Sequence, residues 1–494
     1  MLLKDLKNTI RQSAVYGLSR VSAKLISFIL LPLYSVNFSV SEYGIIVRIE
    51  TLWQILFAFF LFGMESGIVK WYTGIPETAG RRKFLFSVTL FLLITNLIFV
   101  FFLYLASGLF SELIFQSGSY SGLIVYASLI AFAETMVFLI FLLLRINEKA
   151  FLYTFFSVII TVINLALQVY FILYTEIKLE GIFIAKIISP LAVVLILLPY
   201  YLKNITPSFD SKNLKSLIAF SFPVMLAAVF STLLNQSDRY IIGFLKDSAQ
   251  VGLYGLAYNI CGVLNFFVIG PFSLAFTVIS WKKLNDENGK RFFTKSVTYL
   301  FFGVIYLALI LSLFTPELIK ILALNKDYWK AKDVVPWIAV SIPFYGISTI
   351  GFFSFYVTGK TSYVLYFFIV TLVVNIILNF ILISFIGMYG AAVANFISFV
   401  FLCILNYRYS RSNYFFKYEW KKIFYMCVVY TALVFPFFGF VISGFFLTLT
   451  LKVTAVLIFP VLLYLLNFYE EIELERINGF FYRYFRINLF GRFR

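Results

Sequence analysis

The stretches VINLALQVYFIL (162–173) and VVNIILNFILIS (373–384) lie 211 residues apart and read alike. Each is apolar over most of three helical turns, with an Asn at the third position. Each is followed by a Gly-containing reversal and a second matching stretch, GIFIAKIIS (181–189) and GAAVANFIS (390–398). Nearly the same offset aligns SVSEYGI (39–45) with QVGLYGL (250–256), and RINEKAFLYTFF (145–156) with VTGKTSYVLYFF (357–368). Runs of Leu, Ile and Phe align with almost anything. Asn, Gly, Ser and Tyr landmarks kept at one offset in four places do not, so the chain is expected to contain two copies of one unit.

Working outward, the composition identifies the solvent. Of 494 residues, 62% are hydrophobic and only 13% are charged, whereas soluble domains average about 25% charged. A helix needs about 20 apolar residues to cross a hydrocarbon core of ~30 Å. The sequence supplies such runs at about 14–35, 44–68, 84–106, 121–144, 151–174, 181–201, 217–242, 250–280, 296–314, 334–357, 362–386, 388–407, 423–444 and 446–468. The expected fold is an all-α polytopic membrane protein of about fourteen transmembrane helices. The run at 250–280 is long enough to kink at Pro271. With the N-terminus in the cytoplasm, the inward segments hold 28 of the 40 Lys and Arg residues against 11 of the 23 acids. That asymmetry fits the positive-inside rule, and a miscount of one span would spoil it. Both termini are therefore expected in the cytoplasm.

The repeat then divides the chain. Lobes at 1–205 and 213–410 carry six helices each; an even number gives both the same orientation, related by a pseudo-two-fold axis along the membrane normal. A further helix pair follows at 421–468. The tail at 469–494 joins four Glu residues to Arg among aromatics, which reads as an amphipathic surface segment or a disordered one.

Several function classes are excluded by what the chain lacks. It has no His, which removes His-based triads and His metal sites. The phosphate-loop lookalike TGKT (358–361) has Ser354 where the upstream glycine belongs. No catalytic residue, cofactor or metal is expected. The basic pI near 9.5 reflects cations beside membrane helices, where they set topology and meet anionic lipids, so nucleic acid is not an expected partner. The three Cys residues fall in or beside apolar runs without paired spacing, against structural disulfides. No A-x-A cleavage site follows the first apolar run, which reads as a retained helix.

Charges inside the spans carry the remaining signal, since each costs about 2.5–3.5 kcal/mol facing lipid at mid-depth. In LSRVSAKLISF (18–28), Arg20 and Lys24 stand one turn apart on one helix face. Two like charges so placed repel, and a bound anion between them would relieve the repulsion. Arg forks onto two oxygens while Lys acts as a point charge, so the pair suits a diphosphate. Arg48, Lys186 and Arg239 are further candidates for substrate binding, although Arg48 and Lys186 start near the outer surface, where long side chains snorkel. The acids Glu134, Glu50, Glu65 and Asp238 are candidates for ion coupling or gating. Glu134 is the most central, and Glu65 lies near the cytoplasmic end. Asp238 and Arg239 are adjacent and point about 100° apart on a helix, so they are not expected to pair with each other.

The SEYG turn, SFP at 221–223, SDRY at 237–240, VGLYGLAY at 251–258 and the VVNIILN…GMYGAAVAN passage give the chain a recognisable order. It resembles the bacterial polysaccharide-export flippases of the multidrug/oligosaccharidyl-lipid/polysaccharide exporter superfamily. The resemblance covers essentially the whole chain. It implies alternating access between two six-helix lobes, moving an undecaprenyl-diphosphate-linked oligosaccharide across the bacterial inner membrane for surface polysaccharide synthesis. It further implies lipid-linked oligosaccharide diphosphate, membrane lipids and polymerase or glycosyltransferase machinery as partners. A cation-coupled drug or metabolite antiporter and a lipid II flippase of the same superfamily are the alternatives. A membrane glycosyltransferase fits poorly, because no sizeable loop with catalytic acids or bases is present.

Overall fold

A computed structural model describes residues 28–284, 286–412, 414–439 and 444–485, and the described residues form helices joined by short turns, with no strand among them. Helix α1 (Phe28–Asn37) turns sharply into α2 (Val40–Phe60), which continues after a break as α3 (Met64–Gly74). The turn is the S-x-x-E of the SEYG motif. Ser39 Oγ accepts from the Glu42 amide at 3.2 Å, and the Glu42 carboxylate accepts from the Ser39 amide at 2.7 Å, a reciprocal cap on a helix start. There follow α4 (Thr78–Leu105), α5 (Ser107–Phe115), α6 (Ser121–Ile146), α7 (Ala150–Tyr174) and α8 (Lys178–Leu202). The second half runs α9 (Ser211–Gln236), α10 (Asp238–Leu245), α11 (Ser248–Leu264), α12 (Gly270–Lys283), α13 (Gly289–Leu322), α14 (Val335–Gly351), α15 (Phe353–Val357), α16 (Ser362–Ile386) and α17 (Met388–Ser410).

Packing follows the same order twice. Helix α7 lies against α8, α8 against α6, and α6 against α4; likewise α16 lies against α17, α17 against α14, and α14 against α13. Twelve helices among the described residues are long and apolar enough to cross a membrane, each matching one expected span. The other two expected spans differ. The first falls mostly outside the described residues. The thirteenth is α18 (Trp420–Val434), only 15 residues long, broken before the one-turn α19 (Pro436–Gly439) because Pro436 cannot continue the ladder. Near Pro271 the ladder widens into a π-turn at Asn265–Ile269, which takes up the missing donor and divides α11 from α12.

The connections α3–α4, α6–α7, α8–α9, α12–α13 and α17–α18 gather the Lys and Arg excess, and their side of the bundle is called here the basic end; the opposite side is the neutral end. Large apolar side chains such as Phe101, Phe385 and Phe446 are exposed around the bundle, as hydrocarbon solvent requires. Helices α18 and α20 (Phe445–Leu465) pack on α13, where Lys452 of α20 reaches Glu317 of α13 at 2.7 Å. Helix α21 (Glu471–Phe485) closes the described chain. Glu470 just before it pairs with Arg291 at 3.0 Å and with Lys295, which also meets Glu419 at 3.0 Å. The Lys295 ammonium holds the Glu470 carboxyl below the ordinary glutamate range. Glu419 is also lowered: burial pushes it up, but bonds from Thr298 and Lys295 outweigh burial.

Candidate functional site

The two halves meet at the neutral end through the helices that carry the YG motifs. Gly44 of α2 faces the Ser248 carbonyl and the Gly252 amide of α11, and Gly252 faces the Val40 carbonyl and the Gly44 amide. Gly255, the repeat partner of Gly44, receives the side chain of Val47. A Cβ on Gly44 or Gly252 would strike backbone atoms, so only glycine permits this crossing. Hydrogen bonds flank the seal: Asn259 of α11 donates to the Tyr43 hydroxyl at 3.3 Å, Tyr240 of α10 donates to the Arg48 carbonyl at 3.1 Å, and Gln116 donates to the Phe244 carbonyl at 3.2 Å. A second close contact, near the basic end, sets Gly63 of the α2–α3 break against Ser221 and Met225 of α9.

Arg48 sits inside the neutral-end seal. Its guanidinium donates to the Ile114 carbonyl at 3.0 Å and to the Ser248 hydroxyl, and it lies 4.4 Å from the centre of the Phe115 ring. The residue is 3% exposed.

A charged group lines the first half between α2, α6 and α8. Lys186 pairs with Glu50 and lies 5.0 Å from the Trp53 ring centre, while Trp53 Nε1 donates to Glu134 at 3.0 Å. Glu50 and Gln54 stand four residues apart on one face of α2. Gln54 accepts from Gln236 of α9 at 2.7 Å, so that face looks across to the second half. The Lys186 and Glu50 side chains remain 13% and 25% exposed.

The second half holds a contrasting centre. Asp238 is 1% exposed and accepts four hydrogen bonds: from Tyr254 at 2.5 Å, Asn395 at 2.8 Å, the Arg239 amide at 2.8 Å and Arg239 Nη1 at 3.0 Å. Such a carboxylate has its lone-pair sites filled. The network continues from Asn375 to Asn395 at 2.9 Å and to Ser398 at 3.1 Å, and from Asn379 to Asn375 at 2.8 Å. It ties α10, α11, α16 and α17 into one body. The expectation that Asp238 and Arg239 stay apart is corrected here. The α9 helix ends at Gln236, Asp238 opens α10, and its carboxylate folds back onto the first turn while the flexible Arg239 chain curls around to meet it. Arg239 also donates to the Asn235 carbonyl at 3.0 Å and lies 4.3 Å from the Tyr258 ring centre.

The expected cations thus do not converge on one point. Arg48 is in the seal, Lys186 in the first half and Arg239 in the second, while Arg20 and Lys24 lie outside the described residues. Among the acids, Glu50 and Glu134 share the Lys186 group. Glu65 is separate, pairing with Arg145 at 3.0 Å toward the basic end, both half-exposed.

The repeat contained a signal that charge reading missed. Asn395 aligns with Lys186, Asn375 with Asn164 and Asn379 with Gln168. The Asn379–Asn375 bond has its counterpart in Gln168 donating to Asn164 at 2.8 Å. One position thus carries a neutral amide in one half and an ammonium in the other. Lys452, a buried intramembrane cation, was also passed over because α20 otherwise reads as plain apolar helix.

Comparison with known proteins completes the description. The model of a family described as "Polysaccharide biosynthesis protein" matches residues 9–281, and a second model, MatE, matches residues 223–381. The chain is 25% identical over 261 residues to the "Probable low-salt glycan biosynthesis flippase Agl15" of Haloferax volcanii, a match covering 52% of this chain and 55% of that protein. It thus spans about half the length of the curated relative it matches. Among solved structures, the fold is similar to that of the lipid II flippase MurJ in an inward closed conformation, with a TM-score of 0.72 at 17% identity over 92% of this chain and 99% of the other. It is also similar to an inward-facing multidrug resistance MATE family transporter of the MOP superfamily, with a TM-score of 0.63 at 14% identity over 80% and 97%. With a family model covering more than half of its length, the chain belongs to the polysaccharide biosynthesis protein family.

Proposed function

We propose that the protein is a flippase that moves a lipid-linked oligosaccharide across the membrane by alternating access, without catalysing a reaction. The observation that carries this reading is the Lys186–Glu50 pair, a membrane-embedded ion pair left partly exposed on the face of α2 that addresses the other half. Burying charge in a bilayer is costly, so a partly exposed pair on a face turned to the other half supports a water-filled substrate path there. The cargo is an undecaprenyl diphosphate carrying sugars, in a bacterial inner membrane with both termini cytoplasmic. The excess of Lys and Arg at one end supports that orientation. Lys186, with Arg20 and Lys24 from the first helix, meets the diphosphate, and Arg48 and Arg239 join in other states of the cycle. Glu50 and Glu134 couple an ion to the movement, with Asp238 and Glu65 as gating groups. Polymerase or glycosyltransferase machinery supplies and receives the cargo.

The test is translocation of a diphosphate-linked lipid oligosaccharide in proteoliposomes by the native protein and by Arg20→Ala, Lys24→Ala and Lys186→Met. Loss of flipping by about tenfold or more in folded variants is expected. Native-like flipping in all three would remove the anion path. The MatE match at 223–381 favours cation-coupled efflux of a small molecule as the second reading. Efflux of an organic cation together with failure to flip the glycolipid would establish it.

A further inference from the structure

We infer that Arg48 is a built-in load on the neutral-end seal, which keeps the closed form of that end from being too stable to reopen. This rests on the alternating-access reading above. Within the described residues no carboxylate pairs with Arg48. Among the described residues the guanidinium has a neutral carbonyl, a neutral hydroxyl and a ring face, and its Nε is buried without a hydrogen-bond partner among them. A buried charge lacking an opposite charge destabilises the state that buries it. Parting α2 from α11 would hydrate the guanidinium and remove that load.

The repeat shows that the bridge itself needs no charge. Arg48 aligns with Asn259, and Asn259 makes a bond of its own from α11 to α2, to the Tyr43 hydroxyl, with a neutral amide. The extra charge is accommodated by Gly243 of α10, where a Cβ would lie 2.8 Å from Arg48 Nη1 and 3.2 Å from its Cδ. Gly243 is thus the seat of the guanidinium, and a methyl group there would press on it in the sealed form.

The experiment reads opening directly, without substrate, so its outcome is independent of whether the cargo is correctly identified. Spin labels are attached at Ser119→Cys and Lys246→Cys, exposed positions on opposite sides of the seal, with Cys261, Cys403 and Cys427 replaced. Distance distributions are measured by pulsed electron resonance in lipid nanodiscs. Gly243→Ala is expected to raise the open-to-sealed ratio by roughly tenfold, and Arg48→Met to lower it by a similar factor. The double variant is expected to stay sealed, because Gly243→Ala has no guanidinium left to crowd. A native protein already fully sealed still permits the test through the double variant. Arg48 would instead be a clasp holding the seal shut if Arg48→Met opened the neutral end, or if the double variant opened as far as Gly243→Ala alone; either result overturns the inference. So does a Gly243→Ala variant that remains sealed while monodisperse and folded.

Discussion

At the residue scale, the two halves treat buried charge in opposite ways. Asp238 is held by four donors, whereas Glu50 has Lys186 and stays partly exposed. Removing one partner of a buried pair leaves the other uncompensated, which costs more than removing both. Lys186→Met is therefore expected to lower stability more than the double variant Glu50→Gln/Lys186→Met. Because the pair is partly exposed, the difference should be about 1–2 kcal/mol, read from thermal unfolding in one detergent. A single variant as stable as the double one would show that water already replaces the pairing. Asn395→Ala removes a donor to Asp238 and an acceptor for Asn375, so it should destabilise by about 2–3 kcal/mol. The equivalent Lys186 was legible as a charge in the sequence, and Asn395 was not, because a neutral amide in an apolar run carries no charge signal. Only its partners reveal its role.

At the element scale, the crossing of α2 and α11 depends on hydrogen-sized side chains. Gly252→Val would place carbon against the Val40 carbonyl and push the helices apart. Cysteine modification at Val47, buried under Gly255 in the sealed form, should then proceed at least about tenfold faster from the neutral side. Unchanged protection of Val47→Cys would mean that the seal does not depend on that contact. The sequence displayed these glycines in the SEYG and VGLYG motifs, yet could not say that they face each other. Helix α21 offers a pH test at the other end. Lys295 and Arg291 hold Glu470 below its ordinary range near 4.5, and Glu419 is likewise lowered. A depressed folded-state value means that the contact stabilises above that ordinary range and loses its contribution as pH falls through and below it. Protease cleavage near 470 should thus accelerate below about pH 4.5, and also at neutral pH in high salt, where exposed pairs are screened. Cleavage independent of both would assign the docking to apolar contacts alone.

At the scale of the whole molecule, α20 joins the second half through Lys452 and Glu317, an ion pair at the edge of the bundle. Lys452→Met should loosen that helix pair while leaving the α2–α11 seal intact. Hydrogen exchange that rises in α18 and α20 but not in α2 would display this separation. A uniform rise would show that the pair is integral to the core.

The sequence by itself determined the solvent and the all-helical class, and it displayed a repeat. These follow from composition and periodicity, which act locally along the chain and need no partner to be read. It also exposed Glu50, Glu134, Lys186 and Arg48 as charges that a bilayer would not tolerate idly. Tertiary structure alone decided what each charge meets. Arg48 and Ser248 are 200 positions apart, as are the glycines of the seal within a few residues, and no local rule links them. Asp238 and Arg239 show the converse case. They are neighbours in sequence, and ideal helical geometry would separate them. The break between α9 and α10 brings them together, because a helix start lets a carboxylate fold onto the first turn that an uninterrupted helix would deny it.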